Sequence, residues 1–195
     1  QAFAIEAGNR WTKDSKSEAS IKEVKGLHAQ AEEVLKKFLA RLPDPNFTPK
    51  SEALKTKREE QAFDARRQLA SIYIHPTVEK HDECLKLLSE CESKLKADDE
   101  RLARIWELKV RASLSLKKLD EAVKILDQMF DRFKNLRATV EACKSVGIAL
   151  DGVTMEMIEK KGDEKVIREN MKRVSKYYTL WIEQGPALRM NFTIE

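Results

Sequence analysis

Glycine and proline are scarce in this chain, six and five among 195 residues. So few backbone breakers leave little material for the many tight turns of an all-β architecture, and the composition favours helix. The prolines are also clustered, three of the five lying between Leu42 and Pro49. Cysteine is rarer still: three residues that cannot all pair within one chain, with no C-x-x-C motif. Reduced structural thiols are expected rather than a disulfide framework. No apolar run approaches the roughly 18 residues of a membrane-spanning helix. A one-sided charge is missing too, with 37 basic against 33 acidic residues and a formal charge of +4. The charges alternate along the chain, which describes a solvated outer face better than a nucleic-acid surface, where basic residues cluster on one side.

Catalytic signatures are lacking as well. There is no Gly-rich phosphate loop, no H-E-x-x-H and no G-x-S-x-G. His28, His75 and His81 are the only histidines; His28 lies on an apolar face and His75 at a helix end before Pro76, and no nucleophile or paired acid stands beside either in sequence. Acid pairs such as Glu32-Glu33 and Glu59-Glu60 are adjacent on helices, so their side chains diverge by about 100°. His81, Cys84 and Cys91 share a helical face, but a structural zinc needs four ligands and the sequence offers no fourth. The expectation is a non-catalytic protein without metal or cofactor. The first residue is Gln1 rather than Met, with no charged-then-apolar leader, so an excised fragment or processed form is expected.

What is present is helical periodicity. The clearest stretch is Arg101 to Phe133. Ala122, Val123, Leu126, Met129, Phe130 and Phe133 recur at helical spacing and fall on one face. Leu119-Asp120-Glu121 before them supplies an apolar anchor, an N-cap-type Asp and an acidic first turn. The preceding helix has Leu102, Ile105, Trp106, Ser113 and Leu116 on one face, with Leu108, Ala112 and Leu114 apolar off it. Two apolar faces predict a helix sandwiched between neighbours.

The same reading extends along the chain. A short helix from about Phe3 to Trp11 precedes a long one from Ser17 to Leu42, capped by Ser15 or Ser17. The proline-rich segment ends it, and Thr48 with Pro49 opens a third helix that is polar until Ala62 and apolar to Ile74. Thr77 is expected to cap a helix from Val78 to Leu95. Asn135 is expected to cap a helix running to about Lys161, which Gly147 and Gly152 weaken by about 1 kcal/mol each relative to Ala. Asp163 caps the last helix, from Glu164 to about Glu183, with Ile167, Met171, Val174, Tyr178 and Trp181 as its core stripe. Gly185-Pro186 stops it, leaving a tail, 185–195, that alternates loosely. The tally is four helix pairs, about 2–42, 50–96, 99–134 and 136–184, in a single helical domain over 1–184.

The acidic turns align. His81-Asp82-Glu83-Cys84-Leu85-Lys86-Leu87-Leu88 superposes on Leu119-Asp120-Glu121-Ala122-Val123-Lys124-Ile125-Leu126, an offset of 38 residues. That lies inside the range of about 20–50 residues that signals a helical repeat. The stretch 103–136 resembles a tetratricopeptide repeat, with Trp106, Ala112, Leu119 and Ala122 at motif positions. Lys109, Val110, Ser113 and Met129 depart from the motif, and no Pro closes the repeat. The 63–97 segment is similar through Leu69-Ala70 and Tyr73, given about two extra residues around Pro76; Cys84 then takes the small-residue role of Ala122.

The resemblance implies an all-α right-handed superhelix, an α-α solenoid of about four antiparallel hairpins. It also implies that the first helix of each pair lines a concave groove, here Arg67, Gln68, Ser71, Arg104, Leu108, Arg111 and Ser115. Three arginines make that groove attractive to carboxylates or an acidic peptide. The clamp by which such repeats hold chaperone C-termini uses Lys and Asn residues, and Arg67 and Ser71 depart from it. The expected function is a scaffold holding a protein or peptide partner. The alternative is a basic module binding nucleic acid or another polyanion through Lys165, Arg168, Lys172, Arg173 and Lys176, set opposite the last helix's core stripe.

Overall fold

A computed structural model describes residues 2–15, 17–43 and 51–188, with the side chains of Ala4 and Thr12 left aside. Eight helices are present and no strand occurs among the described residues. They are α1 (Ala2–Lys13), α2 (Glu18–Arg41), α3 (Glu52–Ile74), α4 (His81–Glu92), α5 (Arg101–Ser115), α6 (Leu119–Phe133), α7 (Arg137–Glu159) and α8 (Glu164–Gln184). The chain divides into two compact units after Lys94.

In the first unit α1 packs on α2, α2 on α3 and α3 on α4. The apolar end of α3 does most of the work, burying Ala62, Ala65, Leu69, Ala70, Ile72, Tyr73 and Ile74. α2 buries only Val24, His28 and Ala31, while Val34 is exposed. Ser17 caps α2 by accepting from the Ser20 amide. Thr48 and Pro49 lie outside the described residues; the described start of α3 is capped by Ser51, which accepts from the Leu54 amide. Thr77 does not cap α4, which begins at His81. Its hydroxyl is taken by two histidines, and Glu79 at φ 52° breaks the helical path between them.

In the second unit α5 packs on both α6 and α7, and α7 also packs on α6 and α8. The sandwich expected for α5 is realised: it buries Leu102, Ala103, Ile105, Trp106, Glu107, Leu108, Val110, Ala112 and Ser113, residues from nearly all around its circumference. Ala122, Leu126 and Met129 of α6 and Val140, Cys143 and Val146 of α7 complete the core. Each larger aliphatic side chain buried in this way contributes about 1.5–3 kcal/mol.

Two hairpin turns of this unit close alike. After α5, the Lys117 amide donates to the Leu114 carbonyl (2.9 Å) and the Lys118 amide to Ser113 (2.8 Å). After α7, the Lys161 amide donates to Ile158 (3.1 Å) and the Gly162 amide to Met157 (2.8 Å). Both pairs of bonds form a Schellman closure around a residue of positive φ, Lys117 at 59° and Lys161 at 52°.

Several sequence expectations need correction here. Asp120 lies inside the first turn of α6 rather than at its N-cap, which is Lys118 without a side-chain cap bond. Asn135 does not cap α7; Leu136 holds that place, and Asn135 Oδ1 accepts from Gln184 Nε2 at 3.1 Å. α7 runs unbroken through Gly147 and Gly152. Gly147 is there because a Cβ would come within 2.9 Å of the Tyr178 ring. Asp163 does cap α8, accepting from the Lys165 and Val166 amides. The buried edge of α8 is Val174, Tyr177 and Leu180; Met171, expected in the core stripe, is 55% exposed. Tyr177 takes the central place because its ring is fully buried while its hydroxyl reaches Asp127 Oδ1 at 2.9 Å.

Candidate functional site

The surface with the most organised polar chemistry in the second unit is shared by α5 and α7. Arg104 of α5 reaches across to Glu141 of α7, Nη1 to Oε2 at 3.2 Å. The other Glu141 oxygen accepts from Arg137 Nε at 2.7 Å, one turn back on the same helix. One turn along α5, Arg111 Nη1 lies 3.6 Å from Glu107 Oε1. Glu107 is almost wholly buried, and that burial pushes its carboxyl above the ordinary glutamate value. The neighbouring Glu141 charge acts in the same direction, and Arg111 and Arg104 oppose it. The result is a belt of three arginines and two carboxylates stitching two helices together. The two partly exposed Glu141 pairs contribute about 0.2–1 kcal/mol each, so they fix side-chain geometry more than they stabilise the fold.

Beyond the belt, two exposed apolar residues of α7 stand among polar neighbours such as Asp151 and Glu156. Ile148 and Met155 stand seven and fourteen residues after Glu141, close to whole numbers of helical turns, so they continue its face. They are 54% and 53% exposed. One helix face thus presents charged residues at one end and bare hydrophobic side chains at the other.

The residues assigned to a groove from sequence divide between the units. Arg67, Gln68 and Ser71 lie half-buried on α3 of the first unit, with Arg67 Nε 3.4 Å from Asp64 on its own helix. Arg104, Arg111 and Ser115 are exposed on α5. Leu108 is only 4% exposed, so it supports the α5 packing rather than offering a contact. Sequence reasoning missed Glu107, Arg137, Glu141, Ile148 and Met155. The i, i+4 spacing of Arg137 and Glu141 was a visible signal of a paired helix face; the pairing with Arg104 depends on how α7 sits against α5, which no local pattern encodes.

The basic residues of α8 are all exposed, but they do not form a uniform stripe. Lys176 lies 3.7 Å from Asp127 Oδ1 and 3.9 Å from the centre of the Phe130 ring. Arg173 borders a shallow groove that it shares with Asp120, Asp127 and Asp131 of α6. Two of the five cations therefore face acids of α6, leaving Lys165, Arg168 and Lys172 on the outer side.

The three cysteines are buried, Cys84 and Cys143 fully and Cys91 to within 2%. Burial pushes the Cys91 thiol up and that of Cys143 up to about 12. All three are packing residues, and Cys91 and Cys143 are held as neutral thiols. Cys84 and Ala122 each sit, with no exposed surface, in the first turn of the second helix of a hairpin, as their alignment predicts.

Comparison with protein-family models, with curated proteins and with solved structures finds no match for this chain.

Proposed function

We propose that the second unit is a non-catalytic interaction module whose α5–α7 face holds a segment of a partner protein. The observation that carries this reading is the Arg104–Glu141 bridge joined to the exposed Ile148 and Met155 on the same side of α7. A ligand laid there meets apolar anchors at one end and guanidinium groups at the other. The three arginines outnumber the two carboxylates of the belt, which suits an acidic partner segment with an apolar anchor. Both helices are packed on their other sides, so little ordering is needed when a ligand arrives. The packing of α5 on α6 and α7, and of α7 on α6 and α8, supports a tetratricopeptide-like arrangement of these two hairpins, with α5 and α7 as the paired inner helices.

The test is quantitative affinity capture with the intact chain, comparing it with Arg104→Ala/Arg111→Ala and with Ile148→Asp/Met155→Asp, each checked for native helicity. Loss of one contact of about 1.4 kcal/mol lowers affinity tenfold. At least one partner should fall by that factor in both variants. Equal recovery of every partner would reject the face. Salt-dependent retention on nucleic acid that Lys172→Glu/Arg173→Glu abolishes would replace this reading with the polyanion one.

A further inference from the structure

The four most exposed large hydrophobic side chains among the described residues of the second unit lie on one hairpin. They are Ile148 (54%) and Met155 (53%) of α7 and Met171 (55%) and Ile182 (60%) of α8. Both pairs sit in the same spacing, i, i+4, i+7 and i+11. On α7 it gives Lys144, Ile148, Asp151 and Met155; on α8 it gives Met171, Ser175, Tyr178 and Ile182. At about 100° per residue each set spans about 60°, a single narrow stripe. The stripes look away from the packed side of the hairpin, where Val146 and Leu150 of α7 and Tyr177 and Leu180 of α8 are buried. They join at a seam, where Lys144 Nζ stands 5.0 Å from the centre of the Trp181 ring and the Asp151 carboxylate lies near the Tyr178 hydroxyl. A continuous exposed face of this kind marks a docking surface.

The charges on the face choose its occupant. Lys144 and Asp151 stand seven residues apart, with Ile148 next to their midpoint. Neither forms an ion pair among the described residues. A two-fold axis crossing α7 beside Ile148 lays a second copy of the helix antiparallel on the first. Ile148 then packs on Ile148 of the second copy, and each Lys144 comes level with Asp151 of the second copy, so both ion pairs form at once. Gly152 has open space at its Cβ position and adds no side chain to hold the backbones apart. The Tyr178 ring sits against Gly147, so the same axis crosses α8 there and sets its apolar stripe on the matching one. A face with only one sign of charge would repel its own copy. This one is self-complementary.

We propose that the outer face of the α7–α8 hairpin is a self-association surface, on which a second copy of this chain docks about a two-fold axis at Ile148 through reciprocal Lys144–Asp151 pairs. Four exposed apolar side chains make a small interface, so the dimer is weak and reversible. Ile148 and Met155 also anchor the partner face proposed above. A second copy and a partner segment therefore exclude each other there, and self-association limits access to that face.

Sedimentation equilibrium of the full chain between about 10 µM and about 1 mM should show a reversible monomer–dimer equilibrium. A monomer throughout overturns the proposal and leaves the partner reading to its own capture test. Lys144→Asp and Asp151→Lys, each first checked for native helicity by circular dichroism, set like charges against one another in the homodimer. Each should raise the dimer Kd by about tenfold or more. Mixed in equal amounts, the two variants restore both pairs and should form a heterodimer with a Kd within about threefold of wild type. That rescue separates charge pairing from a local disturbance of the Trp181 or Tyr178 contacts, which mixing cannot repair. Variants that self-associate like the wild type, or a mixture that stays monomeric, also overturn it.

Discussion

Glu79 and Lys117 stand 38 residues apart and share one backbone conformation, φ 52° and 59°, each two residues ahead of the helix that follows. The residues after them, Lys80 and Lys118, match as well, at φ −95°, ψ 58° and φ −93°, ψ 66°. Lys80 donates its amide to Tyr73 and Lys118 to Ser113, so the first closure is two residues longer. Those are the two extra residues around Pro76 that aligning the turns requires. The two turns therefore match in backbone conformation as well as in their Asp-Glu pattern.

A left-handed conformation costs a residue with a Cβ about 1–2 kcal/mol, and Gly avoids the cost while adding entropy to the unfolded chain. Lys117→Gly should therefore raise stability by about 0.5–1 kcal/mol, whereas Lys117→Val should lower it by at least about 1 kcal/mol. Urea denaturation followed by helical circular dichroism measures both. The same sign for the two substitutions would contradict the turn geometry.

The two glycines of α7 should respond with opposite signs. Gly152 has open space where an added methyl group would stand, so Gly152→Ala should gain about 0.5–1 kcal/mol from helix propensity. At Gly147 the added Cβ would lie 2.9 Å from the Tyr178 ring. Crowding of about 1–3 kcal/mol then exceeds the propensity gain, and Gly147→Ala should destabilise. Thermal unfolding of the pair decides it.

Removing the Tyr177 hydroxyl takes a donor from a carboxylate, a bond contributing about 1.5–3 kcal/mol. Asp127 is only half-buried and regains water, so Tyr177→Phe should cost about 1–2 kcal/mol. Asp127→Asn, which keeps an acceptor oxygen, should cost less. An equal or larger loss for Asp127→Asn would place the effect elsewhere.

Glu107 carries a pH signature. Its folded pKa is raised, chiefly by burial, so its contribution is fully present below the unfolded glutamate value and is lost as pH rises through the folded one. At neutral pH its ionised form opposes folding. Glu107→Gln should therefore raise Tm at about pH 7.5, with the advantage shrinking towards about pH 4. A loss of Tm at neutral pH would mean that the Arg111 pairing outweighs burial.

Much of the fold was legible because helices announce themselves through spacing. The α6 face, the two-sided burial of α5, the polar-to-apolar change along α3 and the Ser17 and Asp163 caps all follow from local pattern. Failures came where tertiary contacts chose among local options. Thr77 had a cap-like sequence but its hydroxyl serves His28, 49 residues away. Asn135 met Gln184 instead of a helix end. Tyr177 displaced Met171 from the α8 core because one adjacent aromatic had a distant carboxylate to reach. Of the candidate site, the arginines of α5 were visible in sequence; Glu141 and the bare end of α7 became meaningful only once α7 lay beside α5.

The proposal that a partner lies along α5 and α7 is tested most directly by covalent footprinting of the full chain with a captured partner bound. Met155 is 53% exposed and is oxidised readily when open. Bound partner should slow Met155 oxidation and carboxyl labelling of Glu141 by about tenfold, with acetylation of Lys165 and Lys172 on α8 unchanged. Unchanged labelling of Met155 and Glu141, with protection confined to the α8 lysines, would contradict it.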